Sequence, residues 1–248
     1  MELSDFWKEN PQAAIAFSGG VDSAYLLYSA VQSGAQVTAY YAKTAFQPRF
    51  ELEDAEKLTR QLGLEMKILA LDVLKVPYVG GNPANRCYYC KKALFSAISE
   101  AARADGYGLV VDGTNASDQV DDRPGMRALS ELSVRSPLRE CGLTKTEIRR
   151  LSKEAGLFTH DKPAYACLAT RIPTGDMITP EKLARTEEAE AFLSGLGLRD
   201  FRVRTAGELA RIQVTSADLE TVVQNREIIL NHLKEMYSGV VLDLEVRL

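Results

Sequence analysis

Short apolar runs alternate with longer stretches of helical periodicity over the first 150 or so residues. The runs at 14–17, 36–42, 66–70 and 108–112 have the length and the apolar content of strands buried on both faces. Between them, apolar positions recur at helical spacing over 22–33, 49–62 and 91–105, and the last two stretches end near Gly63 and Gly106, where glycine commonly closes a helix. This strand–helix order predicts an α/β fold, a doubly wound parallel sheet with right-handed crossovers. From about Asp161 the pattern changes. Thr179 reads as the N-cap of a helix with Pro180 at its first position, ending near Gly197. Two short strands follow at 201–204 and 209–214, turned by Ala206-Gly207-Glu208; then a helix capped by Thr215 or Asp218 and ending near Gly239, and a last strand at 240–246. The order α-β-β-α-β predicts a smaller α+β module, so the chain divides into residues 1–160 and 161–248.

Ligands on parallel sheets sit at the carboxyl ends of the strands, which directs attention to the residues after each run. After the first comes Ser18-Gly19-Gly20-Val21-Asp22-Ser23, leading straight into a helical pattern. Two glycines allow a tight turn whose N–H groups approach an anion, and the helix start adds partial positive charge. The turn is built for phosphate, yet it lacks the lysine of the GxxxxGK[ST] loop. It resembles the PP-loop of ATP pyrophosphatases, which hold the β- and γ-phosphates as departing pyrophosphate and adenylylate a substrate. Lys43 and Thr44 follow the second strand, Gly113 and Asn115 the last, and all four are candidates for contact with the nucleotide. Asp22 is a candidate Mg²⁺ ligand, because Mg²⁺ prefers carboxylate and phosphate oxygens. Asp118 is a second candidate, ahead of Asp121 and Asp122, which read as solvated loop acids.

The 248 residues carry 46% hydrophobic and 26% charged side chains, ordinary values for a globular protein. No apolar run approaches a membrane span of roughly 20 residues, and the acidic start lacks the features of a signal peptide. The expectation is a cytoplasmic protein with no membrane partner. A net charge of −4 provides no overall bias toward nucleic acid. Four cysteines are too few for a disulfide scaffold in a chain of this length, so metal binding or chemistry is the better reading. Cys87-Tyr88-Tyr89-Cys90 is a CxxC pair, and Cys167 follows 77 residues after Cys90. Only two histidines exist, His160 and His232, which excludes a histidine-rich site. Three thiolates suit a [4Fe-4S] cluster with one iron open to an outside ligand. Zinc on three cysteines plus His160, and a redox or persulfide-carrying CxxC, stand beside it. Cys141 reads as an incidental thiol.

Further motifs narrow the choice. Asp112-Gly113-Thr114-Asn115-Ala116-Ser117-Asp118, Asp122-Arg123-Pro124-Gly125, Arg135-Ser136-Pro137-Leu138, Lys162-Pro163-Ala164-Tyr165-Ala166-Cys167-Leu168-Ala169-Thr170-Arg171-Ile172-Pro173 and Leu209-Ala210-Arg211-Ile212 resemble the LarE family over essentially the whole chain. The resemblance implies an ATP-dependent sulfur transferase that adenylylates a carboxylate of a pyridinium-3,5-dicarboxylate mononucleotide and converts it to a thiocarboxylate, for a nickel-pincer cofactor. In one branch a cysteine gives up its own sulfur once, and its position falls on Ala166, one residue before Cys167; that branch lacks the CxxC pair. The resemblance therefore points to the other branch, in which Cys87, Cys90 and Cys167 hold a [4Fe-4S] cluster whose open iron carries sulfide from a donor. It also implies a homo-oligomer such as a hexamer. Arg171, four residues after Cys167, is the best arginine for the reacting groups. Arg202, Arg204 and Arg211 are candidates for phosphate and carboxylate, although Arg202 and Arg204 alternate with Phe201 and Val203 and would also fit the solvated face of a strand. Two other classes share the PP-loop. A tRNA thiolase needs a basic face, which a pI near 5.4 disfavours, and an amide-forming ligase needs ammonia and no cluster.

Overall fold

The computed structural model describes residues 2–118 and 124–247. Asp121, Asp122 and Arg123 lie outside the described residues. The contacts divide the chain into two compact units, Met1–Val79 with Asn85–Lys162, and Gly80–Ala84 with Pro163–Leu248. The sequence gives no sign of the short segment that leaves the first unit. Its backbone explains the membership: Ile178 N donates to Gly80 O, Gly175 N to Asn82 O, and the Asn82 amide reaches the carbonyls of Ile172 and Pro173 at 3.2 and 2.8 Å.

The first unit holds a sheet of four parallel strands, β1 (Gln12–Ala16), β2 (Gln36–Lys43), β3 (Met66–Ala70) and β4 (Val110–Val111), in the order β3-β2-β1-β4. Reversal of direction after β1 puts a crevice at its carboxyl end, beside β4. Alternation along the strands feeds both faces. Ala13 and Ile15 join a core with Trp7, Leu26, Leu27, Leu58, Leu138 and Ile148, while Ala14 and Tyr40 pack against Ile98, Ala102 and Tyr107 on the other side. Helix α1 (Leu3–Glu9) precedes the sheet and is anchored by Trp7, whose indole donates to Ser29 Oγ at 3.0 Å. Helices α2 (Val21–Gln32) and α3 (Arg49–Gln61) follow the predicted stretches closely. Helix α4 (Arg86–Ala104) starts five residues before the predicted 91, so both cysteines of the CxxC lie on the helix, at its second and fifth positions. Among the described residues the unit also has α5 (Pro124–Glu131), α6 (Pro137–Glu140) and α7 (Lys145–Glu154), the last closed at its start by a reciprocal pair between Thr144 and Glu147.

In the second unit, α8 (Pro180–Gly195) begins as predicted, with Thr179 Oγ1 accepting from Lys182 N at 3.3 Å. Strands β5 (Phe201–Ala206) and β6 (Leu209–Val214) pair antiparallel, and β7 (Gly239–Leu242) adds parallel to β6. The single helix expected between 215 and 238 is two, α9 (Leu219–Gln224) and α10 (Arg226–Leu233), broken at Asn225. The break serves packing: Val222 on one piece and Ile229 and Leu233 on the other all reach the same core, with Leu193, Val203 and Ile212. Among the described residues no helix is long and apolar enough to cross a membrane.

Candidate functional site

The turn after β1 is organised by its own hydroxyls. Ser23 Oγ accepts from Ser18 N at 3.3 Å, donates to Gly20 O at 3.2 Å and lies 3.1 Å from Ser18 Oγ. Gly19 has φ +73°, and a Cβ there would meet Glu51 O at 3.1 Å and the Ala55 methyl at 3.2 Å, so only glycine fits. Gly113, at the end of β4, approaches the same turn: a Cβ on it would lie 2.8 Å from Ser23 N. The two loops thus meet backbone to backbone over the start of α2, whose first N–H groups have no partner within the helix.

Asp22 stands at the second position of α2. Its Oδ2 is 2.5 Å from Lys145 Nζ, while Oδ1 is buried and has no hydrogen-bond partner among the described residues. Burial pushes the Asp22 carboxyl above its ordinary range and Asp118 pushes it further, whereas Lys145 and Arg149 hold it down. A buried carboxylate oxygen without a donor is expensive, and a Mg²⁺–phosphate complex would relieve it. The donor set at this turn therefore fits ATP with Mg²⁺.

Lys145 has no sequence signal of its own. It sits at the first position of α7, and its backbone N donates to Ser117 Oγ at 3.0 Å, which ties α7 to the loop after β4. That loop is self-bonded: Ser117 N donates to Asn115 Oδ1 at 2.8 Å, Asn115 N to Asp118 Oδ2 at 3.1 Å, and Arg139 Nη1 to Asp118 O at 3.0 Å. Beneath it the buried Asp112 accepts from the hydroxyls of Thr114 and Ser136, each at 2.6 Å. A second lysine, Lys162, reaches the other side of the turn, with Nζ 2.6 Å from Asp54 Oδ2 and 3.5 Å from Gly19 O. Two lysines from distant parts of the chain thus border the turn, Lys145 paired with Asp22 and Lys162 with Asp54. Since Lys145 holds the Asp22 carboxyl down, Lys145→Met should raise it, and the acid limb of kcat/KM for AMP formation should move to higher pH. An acid limb that stays in place excludes Asp22 as the titrating group.

Lys43, the last residue of β2, is exposed, while Thr44 is buried and spends its hydroxyl on Gln47 Oε1 at 2.6 Å. The CxxC is open: Cys87 is exposed and Cys90 half-buried, one helical turn apart on the same side of α4. Cys167, in the second unit, is half-buried. None of the four cysteines is in a disulfide; Cys141 packs against the first core, and burial raises its thiol. Among the described residues no group of three or more His, Cys, Asp or Glu side chains is gathered as a metal site.

The arginines differ from one another more than their sequence context suggests. Arg171 is 1% exposed and forks onto Glu190, with Nε 2.8 Å from Oε1 and Nη2 3.1 Å from Oε2. Arg202 is buried rather than on a solvated strand face; it donates to Ala164 O and Phe201 O, and burial pulls its guanidinium down to about 10. Arg204 donates to Gln213 Oε1 at 2.5 Å and Thr170 O at 2.7 Å. Arg211 is exposed, with its Nε 3.5 Å from Asp243 Oδ2.

A parallel sheet whose first strand ends in Ser-Gly-Gly-Val-Asp-Ser at a helix start defines a PP-loop protein. Comparison with known proteins agrees: residues 12–81 match the model of the family "Queuosine biosynthesis protein QueC". The chain is 38% identical to an uncharacterized protein of Synechocystis sp. over 98% of its own length and 92% of the relative's. It is 32% identical to pyridinium-3,5-bisthiocarboxylic acid mononucleotide synthase of Lactiplantibacillus plantarum, over 96% of this chain and 87% of that one. A tRNA-specific 2-thiouridylase MnmA of Pseudothermotoga lettingae is 28% identical over 65% of the chain and 56% of that protein. The chain belongs to the LarE family of PP-loop, ATP-dependent sulfurtransferases.

Proposed function

We propose that this protein uses ATP to adenylylate a carboxylate of a pyridinium-3,5-dicarboxylate mononucleotide, releases pyrophosphate, and replaces the activated oxygen with sulfur, as a step toward a nickel-pincer cofactor. The observation that carries the first half is the buried Asp22 Oδ1, without a hydrogen-bond partner among the described residues, at the mouth of an anion-binding turn. Full-length likeness to a synthase of that mononucleotide supports the substrate. A carboxylate is a poor electrophile; adenylylation, with loss of pyrophosphate, makes its acyl carbon electrophilic because AMP is then a good leaving group. The 18–23 turn holds the β- and γ-phosphates; Asp22 and Asp118 serve Mg²⁺; Gly113, Asn115, Lys43 and Thr44 border the nucleotide, and Arg211 is the arginine left open for an anionic group of the substrate.

For the sulfur step, Cys87, Cys90 and Cys167 provide the thiolates of a [4Fe-4S] cluster, and two observations support the assignment: Cys87 and Cys90 lie about one helical turn apart on α4, and none of the three is in a disulfide. When bound, such a cluster supplies an open iron that keeps sulfide anionic at neutral pH. The chain works in the cytoplasm as a homo-oligomer fed by a sulfide donor.

Anaerobic purification tests both halves. Turnover should yield AMP and pyrophosphate only when the carboxylate is present, and iron and acid-labile sulfide should each approach about four per chain. Alanine at Cys87, Cys90 or Cys167 should abolish the brown chromophore, and Cys141→Ala should keep it. ADP and phosphate as first products would refute the PP-loop chemistry; iron-free protein that still transfers sulfur would refute the cluster.

A further inference from the structure

The segment that carries Cys167 has no regular structure from Lys162 to Cys167 and then forms a single tight turn over Leu168–Arg171. A thiol on such a segment would wander unless the backbone were held by something else. Arg171 is what holds it. Its guanidinium uses two nitrogens on Glu190, and with the third, Nη1, it donates to Ala166 O at 2.8 Å, Thr170 Oγ1 at 2.8 Å and Cys167 O at 3.5 Å. Cys167 O also accepts from Thr170 N at 2.9 Å and Thr170 Oγ1 at 2.8 Å. Glu190 is fixed in turn: Oε1 accepts from Val203 N of β5 at 2.9 Å, and Oε2 from the Tyr165 hydroxyl at 2.5 Å. The Tyr165 ring lies against the Arg171 guanidinium, 4.5 Å from centroid to Cζ, so the loop grips the arginine at both ends.

We infer that the buried pair of Arg171 and Glu190 is the positioning device for Cys167, transmitting the rigidity of α8 and β5 to the backbone that presents the thiol. Both partners are almost wholly buried. A buried ion pair is weak evidence for stability, since apolar residues of similar volume often serve a fold as well. What an apolar pair cannot do is donate hydrogen bonds to the carbonyls of a cysteine-bearing loop. Lysine cannot do it either, because one ammonium does not span Glu190, Ala166 and Thr170 together. Arg202 and Arg204 add grips on Ala164 O and Thr170 O. Arg171 is on this account a positioning residue, not one that touches the reacting atoms. The inference rests on the reading of Cys167 as a sulfur-transfer residue, but its first test does not.

That test is alkylation of the full-length, cluster-free chain by iodoacetamide under reducing conditions, followed peptide by peptide with Cys87 as the internal reference. In Arg171→Lys the ratio of Cys167 to Cys87 alkylation should rise several-fold, with a smaller rise in Tyr165→Phe, which removes one bond to Glu190. In the assay of sulfur transferred per AMP formed, Arg171→Lys should lose about 10²-fold, the scale expected when a reacting group is displaced by about 1 Å. Full rescue by lysine would mean that charge alone matters and would overturn the inference. So would unchanged alkylation ratios in folded variants. If Arg171→Lys does not fold, Tyr165→Phe and hydrogen exchange of the unaltered chain decide the matter: the Thr170 amide should exchange as slowly as those of β5, and rapid exchange would refute a fixed loop. Should alkylation respond as expected while the unaltered chain transfers no sulfur, the functional proposal fails and the positioning of Cys167 stands.

Discussion

Asp22→Ala should lower the rate of AMP and pyrophosphate formation by about 10²–10³-fold, the scale seen when one group that stabilises developing charge is removed. Asp22 is the one acidic side chain at the start of α2, and its carboxylate has one oxygen on Lys145 and the other buried without a donor among the described residues. Such an arrangement costs stability in the isolated chain. A carboxyl raised by burial disfavours folding above its unfolded range, and the penalty disappears as pH falls through the raised value. Asp22→Asn, which removes that penalty, should therefore leave the melting temperature unchanged or raise it, even as adenylylation collapses. The measurement is AMP and pyrophosphate released with the carboxylate present, beside a thermal melt. The brown chromophore should survive both substitutions, because Asp22 is no part of the thiolate set. A rate within threefold of the unaltered protein would remove Asp22 from the Mg²⁺ and phosphate chemistry.

The second large effect separates two sources of sulfur. If Cys167 gave up its own sulfur, each chain would act once, and its mass would fall by about one H₂S, roughly 34 Da, as C–S cleavage turned the thiolate into dehydroalanine. With Cys167 as a cluster ligand, the mass stays constant and added sulfide sustains many turnovers. Cys167→Ala should then abolish sulfur transfer while pyrophosphate is still released in the adenylylation step. The open pair on α4 favours the second outcome, since a sacrificed cysteine leaves Cys87 and Cys90 without a role. Intact-mass spectrometry after anaerobic reaction with ATP, Mg²⁺ and the pyridinium substrate, with and without sulfide, decides it. Dehydroalanine at position 167 with single-turnover stoichiometry would end the cluster mechanism and leave the PP-loop chemistry untouched.

Legibility in the sequence followed the range of the interactions. The 18–23 turn, α2 and Thr179 with Pro180 are local: each is specified by neighbours a few residues apart, and each stands in the structure where the pattern put it. The early start of α4 was missed although Asn85 is a residue type that favours the N-cap; the signal is weak because Tyr88, not a Glu or Gln, stands three residues on and the Asn85 side chain makes no cap hydrogen bond. The split at Asn225 was hidden because apolar positions such as Leu219, Val222, Ile229 and Leu233 keep a helical spacing across it, and all four reach the same core in the structure.

From its sequence alone this chain is a PP-loop α/β protein of the LarE family, with an anion-binding turn and a CxxC, because repeated periodicities and contiguous motifs are written in adjacent residues. Only the tertiary structure pairs Lys145 with Asp22 across 123 positions and brings Lys162 to Gly19 across 143. It also sends Arg171 into the interior, where the sequence had offered it to the substrate. A charged side chain looks the same in sequence whether it faces water, phosphate or a buried glutamate. What separates these fates is which distant groups the fold desolvates together, and no local pattern records that.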